Sequence, residues 1–454
     1  MHIHILGIGG TFMSALAILA RQLGHEVTGC DVNCYPPVSD LLTDQNIAWT
    51  AGYDDCQDAL RADLVVVGNV IKRGMPVLEA VLNSSQRYMS GPQWIAEEVL
   101  PKYRVLAVAG THGKTTTTSM IAHVLFEAGL EPGFLIGGVA PNFGTSARLG
   151  EGNWFVIEAD EYDSAFFDKR PKMIHYHPIV AILNNLEFDH ADIYPNLEAI
   201  KLQFHYYLKT VQSTGVVLKP RDDKALNEVI QKGVFCNLEE FALDGEATWR
   251  AEIVDECGSH FYVWQQNKRV AEVKWPLIGR FNVENGLAAI SACHHAGVSV
   301  EVAASALGSF KPVKRRLEVK LDNHGIVVYD DFAHHPTAIA KTVEALKHSG
   351  KHQRVLVVLE FASNTMRSGI HLSSMPAALA EADLTFFLKP TQFDLEKYAQ
   401  NWHSCYEMLS VSSMIVKRVA DEVRKGDAVV IMSNHGFDNI HQDIVTAINR
   451  RFNE

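Results

Sequence analysis

A lysine and two threonine hydroxyls at the end of a glycine turn are the residue types that hold a triphosphate and its cation. They occur together in the run Val108 to Thr116, VAGTHGKTT. An apolar, β-branched strand leads into Gly110-Thr111-His112-Gly113, and Lys114-Thr115-Thr116 opens the helix that follows. In such a loop, backbone N–H groups and the helix N-terminus surround phosphate oxygens. Lys114 then supplies a mobile cation and the Thr115 hydroxyl a ligand for Mg²⁺. The pattern departs from GxxxxGK[ST], because its first glycine would fall at Val108 and the nearest upstream glycine is Gly110. A glycine turn without a ligand is the competing reading, and the flanking strand and helix disfavour it.

Further groups able to do chemistry stand at other strand ends. Glu158-Ala159-Asp160-Glu161-Tyr162-Asp163-Ser164 follows an apolar strand and offers four carboxylates for a cation, or else forms a solvated acidic loop. Asn184-Asn185-Leu186-Glu187-Phe188-Asp189-His190 closes the next strand, where His190 can bind a divalent ion through a neutral imidazole, with Asp189 behind it. Asn282 and Asn285 lie three apart at a helix start, and an amide there reads an adenine edge or simply caps the helix. Lys314-Arg315-Arg316 and Tyr329-Asp330-Asp331 bring a guanidinium for phosphate charge and a carboxylate for a ribose hydroxyl, or decorate a hinge.

The elements that must position these groups alternate strand and helix along the whole chain. An apolar strand ending at Leu6, a helix from about Thr11 to Leu23, a strand near Val27 and Leu64–Val67 form a Rossmann-like α/β unit. Its loop, Gly7-Ile8-Gly9-Gly10-Thr11-Phe12-Met13, lets a pyrophosphate approach the backbone, although strict GxGxxG would need glycine at Phe12; a plain tight turn is the alternative. Asp31 ends the second strand at the distance of a ribose acceptor. A second α/β unit starts near Arg104, turns to shorter β-like alternation between about Gly215 and Pro276, and continues with a helix from Asn282 to Ala296. A third starts near Val313. Three domains are therefore expected, at 1–103, 104–312 and 313–454, with clefts between them.

Composition narrows the class. Hydrophobic residues make up 47% of 454, so large cores can be buried, and no apolar run approaches a membrane span. A strand beginning almost at Met1 leaves no room for a signal peptide, so a cytoplasmic location is expected. Seven cysteines without a CxxC pair argue against a disulfide framework or zinc cage. The net charge of −12, with no basic tract, disfavours nucleic acid or an anionic membrane as partner.

Taken in order, GIGG at Gly7, GTHGKTT at Gly110, EADEYDSAF at Glu158, NNLEFDHADIY at Asn184, GRFNVEN at Gly279, RRLE at Arg315 and YDDFAHHPTAI at Tyr329 resemble the Mur ligase family along the whole chain. The resemblance implies an α/β fold of three domains: a Rossmann-like domain for a UDP-sugar, a P-loop ATPase-like central domain, and a carboxy-terminal domain that receives the peptide and closes on ATP. It implies ATP-dependent amide formation with two Mg²⁺ ions in peptidoglycan metabolism. Within the family, the chain is most similar to the branch acting on UDP-N-acetylmuramate. Stretches such as Tyr88–Trp94, Ser363–Arg367 and Met432–Phe437 favour the recycled tripeptide L-alanyl-γ-D-glutamyl-meso-diaminopimelate as amine over L-alanine.

By the same resemblance, Lys114, Glu161, His190 and Arg316 are catalytic, and Thr115, Glu161 and His190 hold metal. Gly110, Thr111, His112, Gly113, Lys114, Thr115 and Thr116 would hold ATP phosphates, Asn282 the adenine and Asp331 the ribose. Gly7, Gly9, Gly10, Met13 and Asp31 would hold the UDP-sugar, and Asn142, Ser164 and His335 would also contact substrate. A guanidinium fork at Arg367 suits the peptide's carboxylates. Several relatives carry a carbamoylated lysine where this chain has His205, and Lys201 is off register, so no lysine carbamate is expected. A dinucleotide-dependent oxidoreductase, suggested by the Gly7 loop and Asp31, and a nucleotide-binding regulator without turnover are the rival classes.

Overall fold

Long apolar strands such as Arg104–Ala109 (RVLAVA) and Asp427–Met432 (DAVVIM) are buried on both faces, the pattern of a parallel sheet covered by helices. The computed structural model describes residues 1–395 and 405–453 and contains three such sheets. The first has five parallel strands in the order Ala48–Ala51, Glu26–Asp31, His2–Leu6, Leu64–Val67, Tyr88–Ser90. The third has six, with Glu318–Asn323 antiparallel at one edge and the rest parallel.

The second sheet has ten strands, and its middle positions the chemistry. Arg104–Ala109 lies between Trp154–Glu158 and Val180–Leu183, and all three run parallel. After this central strand the chain builds the Trp154–Glu158 side of the sheet and then crosses to Val180–Leu183 on the other side, so a crevice opens at the carboxyl ends of the three strands. Those ends carry the phosphate loop, the Glu158–Asp163 acids and the Asn184–His190 segment.

Between Gly215 and Pro276 the structure differs from the expected β alternation in one place. Lys224–Gln231 is a helix, because Asp223 caps it by accepting from the Leu226 N–H and Ala225, Leu226 and Val229 share its buried face. The rest of that stretch forms strands, three of which close the sheet edge in antiparallel pairing.

Candidate active site

The phosphate loop is held by residues from two other elements. The His112 N–H donates to Asn185 Oδ1 at 2.8 Å, the Thr111 N–H to the Asn185 carbonyl at 3.2 Å, and the Glu187 N–H to Thr111 Oγ1 at 2.9 Å. Gly113 sits at φ +78°, and a Cβ there would lie 2.5 Å from Asn285 Oδ1, so only glycine fits. Asn285 Oδ1 accepts from the Thr117 hydroxyl at 3.1 Å, and Asn184 Nδ2 donates to that hydroxyl at 3.0 Å. Of the two amides expected to share a face, Asn285 therefore supports the loop from beneath. Asn282 lines the cleft while its Nδ2 donates to the Ile278 carbonyl at 2.7 Å.

Lys114, at the start of helix Lys114–Glu127, is folded back onto the acids. Its Nζ lies 2.7 Å from the Gly110 carbonyl, 2.6 Å from Glu161 Oε2 and 3.7 Å from Asp160 Oδ1. Burial opposes the ammonium, yet Glu161 and Asp160 outweigh it and hold the pKa of Lys114 above its ordinary value. Glu161 completes a relay: its Oε1 lies 3.1 Å from His190 Nε2, and its own carbonyl accepts from the Tyr194 hydroxyl at 2.6 Å. Burial would raise the Glu161 pKa, but Lys114 and His190 bring it below the usual range; His190, also desolvated, is raised by Glu161. Asp160, one of the four carboxylates of the Glu158–Ser164 run, joins this group. Asp160, Glu161 and His190 present ligand atoms within 4.8 Å of one another, a donor set that fits a hard divalent cation.

Arg316 comes from the third unit and reaches Thr115 Oγ1 with Nη2 at 3.3 Å. Its guanidinium lies over the Phe332 ring, 4.8 Å from the centroid. Burial lowers its pKa, and Asp331 and Glu158 counter this. Two non-glycine residues at positive φ flank it, Arg315 at +63° and Leu317 at +48°. The distortion is held by neighbours: Asp331 Oδ2 accepts from the Leu317 N–H at 2.8 Å, and Arg315 Nη2 donates to the carbonyls of Ser433 (2.6 Å) and His435 (2.7 Å). Asp331 also accepts from the Ala333 N–H at 2.9 Å, and burial raises its pKa.

A cavity of about 650 Å³ connects these groups. Thr111–Thr116, Asp160, His190, Asn282, Arg316, Asp331 and His335 line it, so residues from the second and third units meet there. Glu158 also lines it; burial raises its pKa, and it accepts from the Gly137 N–H at 2.9 Å. Gly110 lies at the base of the loop beneath Lys114.

The remaining candidates lie outside this lining. In the first unit, Gly7 (φ +83°), Gly9 and Gly10 form a turn at the start of helix Thr11–Gln22. A Cβ on Gly9 would lie 2.4 Å from the Asn33 carbonyl. Asp31, read from sequence as a ribose acceptor, is buried and already accepts from the Gly9 N–H (2.9 Å), the Asn33 N–H (3.0 Å) and the Tyr53 hydroxyl (3.2 Å). It shapes the glycine turn from below. Met13 is likewise buried, packed against Gly68 and Gly91. Asp31→Ala would leave those donors unpaired and is expected to destabilise the first unit by about 2 kcal/mol, read as a lower urea midpoint. An unchanged midpoint would show that water replaces the carboxylate.

Ser164 is buried, donating to the Arg170 carbonyl at 2.8 Å, and Asn142 Oδ1 accepts from the Lys311 N–H at 2.9 Å. Arg367 is exposed at the end of the short helix Asn364–Arg367. Its neighbours join the His190 loop, with Asn364 Nδ2 donating to Asp192 at 2.9 Å and Thr365 Oγ1 accepting from the Ala191 N–H at 3.2 Å. Lys201 Nζ is held by Glu198 at 2.6 Å and Glu228 at 2.5 Å, and neither it nor His205 lines the cleft.

Residues 2–103 match the Mur ligase family catalytic domain, 108–293 the Mur ligase middle domain, and 315–435 the Mur ligase glutamate ligase domain. The chain is 47% identical over 448 residues to a Haemophilus influenzae protein, UDP-N-acetylmuramate–L-alanyl-γ-D-glutamyl-meso-2,6-diaminoheptandioate ligase, covering 98% of both chains. An Escherichia coli protein of the same name is 47% identical over 458 residues, covering 99% of each. Among solved structures, a murein peptide ligase from Psychrobacter arcticus superposes with a TM-score of 0.78 at 43% identity, covering 99% of this chain and 98% of the other. A UDP-N-acetylmuramate–alanine ligase from Thermotoga maritima shares the fold, with a TM-score of 0.82 at 20% identity over 99% of both chains. On full-length similarity and three matched domains, the chain belongs to the Mur ligase family.

Proposed function

We propose that this chain is an ATP-dependent, ADP-forming ligase that joins L-alanyl-γ-D-glutamyl-meso-diaminopimelate to UDP-N-acetylmuramate in peptidoglycan recycling. The observation that carries this reading is the 47% identity, over essentially the whole chain, to two ligases bearing that name. In this reading residues 1–103 hold the UDP-sugar, 104–312 hold ATP, and 313–454 receive the tripeptide and close on ATP. Nucleotide-linked substrates suit a cytoplasmic enzyme, and among the described residues no helix is long and apolar enough to cross a membrane. The acidic net charge gives nucleic acid no footing.

A carboxylate does not lose oxide to an amine, so the acid is first activated. The lactoyl carboxylate oxygen attacks the γ-phosphorus and ADP departs, leaving an acyl phosphate. The tripeptide amine then attacks the carbonyl carbon, loses a proton, and the tetrahedral intermediate expels phosphate. Backbone donors of Gly110–Thr116 cradle the phosphates, and Lys114 swings from Glu161 to the transferred group. Arg316, beside Thr115, faces the charge that accumulates on the equatorial oxygens. Mg²⁺, when bound, neutralises phosphate oxygens; Thr115, Glu161 and His190 are the residues that would hold two such ions, with Asp160 adjoining. Asn282 would contact adenine and Asp331 the ribose. Gly7, Gly9 and Gly10 would contact the diphosphate, the turn being held by Asp31 and packed on Met13, with Asn142 and Ser164 assigned to the bound acid and peptide and the His335 ring packing beside them by its carbon edge. Contact between the second and third units excludes water that would hydrolyse the acyl phosphate.

The test is ADP release with ATP, Mg²⁺ and UDP-N-acetylmuramate, comparing L-alanine with the tripeptide. Turnover with tripeptide is expected; turnover with L-alanine alone would assign the chain to the biosynthetic reaction. In the same assay Arg367→Ala is expected to raise the tripeptide KM at least about tenfold, the worth of one charge-assisted hydrogen bond, while leaving the ATP KM unchanged. An unchanged tripeptide KM removes Arg367 from the peptide site.

A further inference from the structure

We propose that His112, Glu187 and His335 form a transition-metal site that bridges the phosphate loop and the third unit, separate from the Mg²⁺ ligands. His112 belongs to the phosphate loop, Glu187 to the segment after Val180–Leu183, and His335 caps helix Pro336–Lys347. Their ligand atoms lie within 4.8 Å of one another. Glu187 Oε2 is 3.0 Å from His112 Nε2 and 3.4 Å from His335 Nδ1, and the two rings are 4.7 Å apart. Bonds of about 2.0–2.1 Å at tetrahedral angles would set neighbouring ligand atoms about 3.3–3.4 Å apart, so the two separations from Glu187 need little adjustment.

The hydrogen-bond pattern at His335 points the same way. Its Nε2 lies 3.3 Å from the Phe188 carbonyl, which can only accept, so that nitrogen carries the proton. Nδ1 then carries the lone pair, and it faces the carboxylate oxygen of Glu187 at 3.4 Å. Its one donor is the Thr337 N–H at a long 3.3 Å. Two acceptors at 3.4 Å with no proton between them are relieved by a cation. The next ring, His371, packs edge-on to His335 at 4.5 Å, and its buried Nε2 has no hydrogen-bond partner, leaving a further imidazole donor beside the set.

Two imidazoles and one carboxylate with a free fourth position make a set that zinc or cobalt prefers. The carboxylate-rich Asp160–Glu161–His190 group suits Mg²⁺. Because His335 and His112 come from different units, an ion here stabilises the arrangement in which Arg316 meets Thr115.

The experiment is a Co²⁺ titration of the purified full-length protein in excess Mg²⁺, followed by the intense visible bands of four-coordinate cobalt. One equivalent is expected to bind, to be bleached by Zn²⁺, and to bind at least about tenfold more weakly in both His112→Gln and His335→Gln. His190→Ala is expected to retain the bands. Far-ultraviolet circular dichroism checks that each variant is folded. X-ray absorption of the Zn²⁺-loaded wild type, which needs no variant, is expected to count two or three imidazoles. Absence of the bands, bands indifferent to both glutamine variants, bands lost with His190→Ala, or a zinc shell with fewer than two imidazoles would each overturn the proposal.

Discussion

Lys114→Met is expected to lower kcat for ADP release by about 10³-fold or more, with the KM for UDP-N-acetylmuramate nearly unchanged. The charge that Lys114 offers is worth most where water is excluded and where phosphate oxygens gain charge during transfer, so its loss falls on the transition state. Removing it also leaves the buried Glu161 and the half-buried Asp160 facing one another with Lys172 and His190 as their remaining cations. A second effect follows, a destabilisation of up to about 3–5 kcal/mol visible as a lower melting temperature. Lys114→Arg separates the two effects. It restores the charge and most of the melting temperature, but its wider planar fork does not reproduce the compact ammonium that turns within the tight loop from the Gly110 carbonyl to the phosphate, so kcat stays low. Steady-state kinetics of both variants, with melting curves alongside, make the check. A Lys114→Met enzyme within tenfold of wild type would remove the lysine from phosphoryl transfer.

Arg316→Ala is expected to reduce kcat by about 10²–10³-fold with less than a threefold change in the ATP KM. Arg316 joins the phosphate site from 201 residues beyond Thr115, so it acts only when the third unit is seated, as a group that senses the transition state more than bound nucleotide. Arg316→Lys keeps the charge and loses the stacking on Phe332 and the planar reach to Thr115, so partial recovery, about tenfold above alanine, is expected. The readout is kcat and KM for ATP at saturating tripeptide. A change confined to KM would make Arg316 a nucleotide-binding residue.

Local signals in the sequence reached as far as the parallel strands and their loops. Apolar runs such as Val355–Leu359 admit no other reading once helices flank them, and polar groups at strand ends mark a crevice wherever the sheet is parallel. Three features were not legible, each because it depends on what lies opposite. Asp31 carries the right type and spacing for a ribose, but nothing local shows that the Gly9 and Asn33 N–H groups and Tyr53 already occupy it. Asn282 and Asn285 look equivalent on a helical wheel, yet only Asn285 lies under Gly113. The meeting of His112 with His335 joins residues from separate sheets, and no periodicity encodes it. The helix at Lys224–Gln231 was lost for a different reason, since eight residues between strands give too short a period to read.

The left-handed residues on either side of Arg316 bear on how inhibitors of this protein would be measured. A compound reaching from Thr115 to Arg316 binds only those molecules in which the two are in contact, so its apparent dissociation constant is the intrinsic value divided by their fraction. Altering the bend, as Arg315→Gly would by removing both the Cβ that disfavours φ +63° and the bonds to the Ser433 and His435 carbonyls, changes that fraction without touching a single ligand contact. Resistance to such a compound can thus arise at position 315, from a substitution that the bound inhibitor never meets.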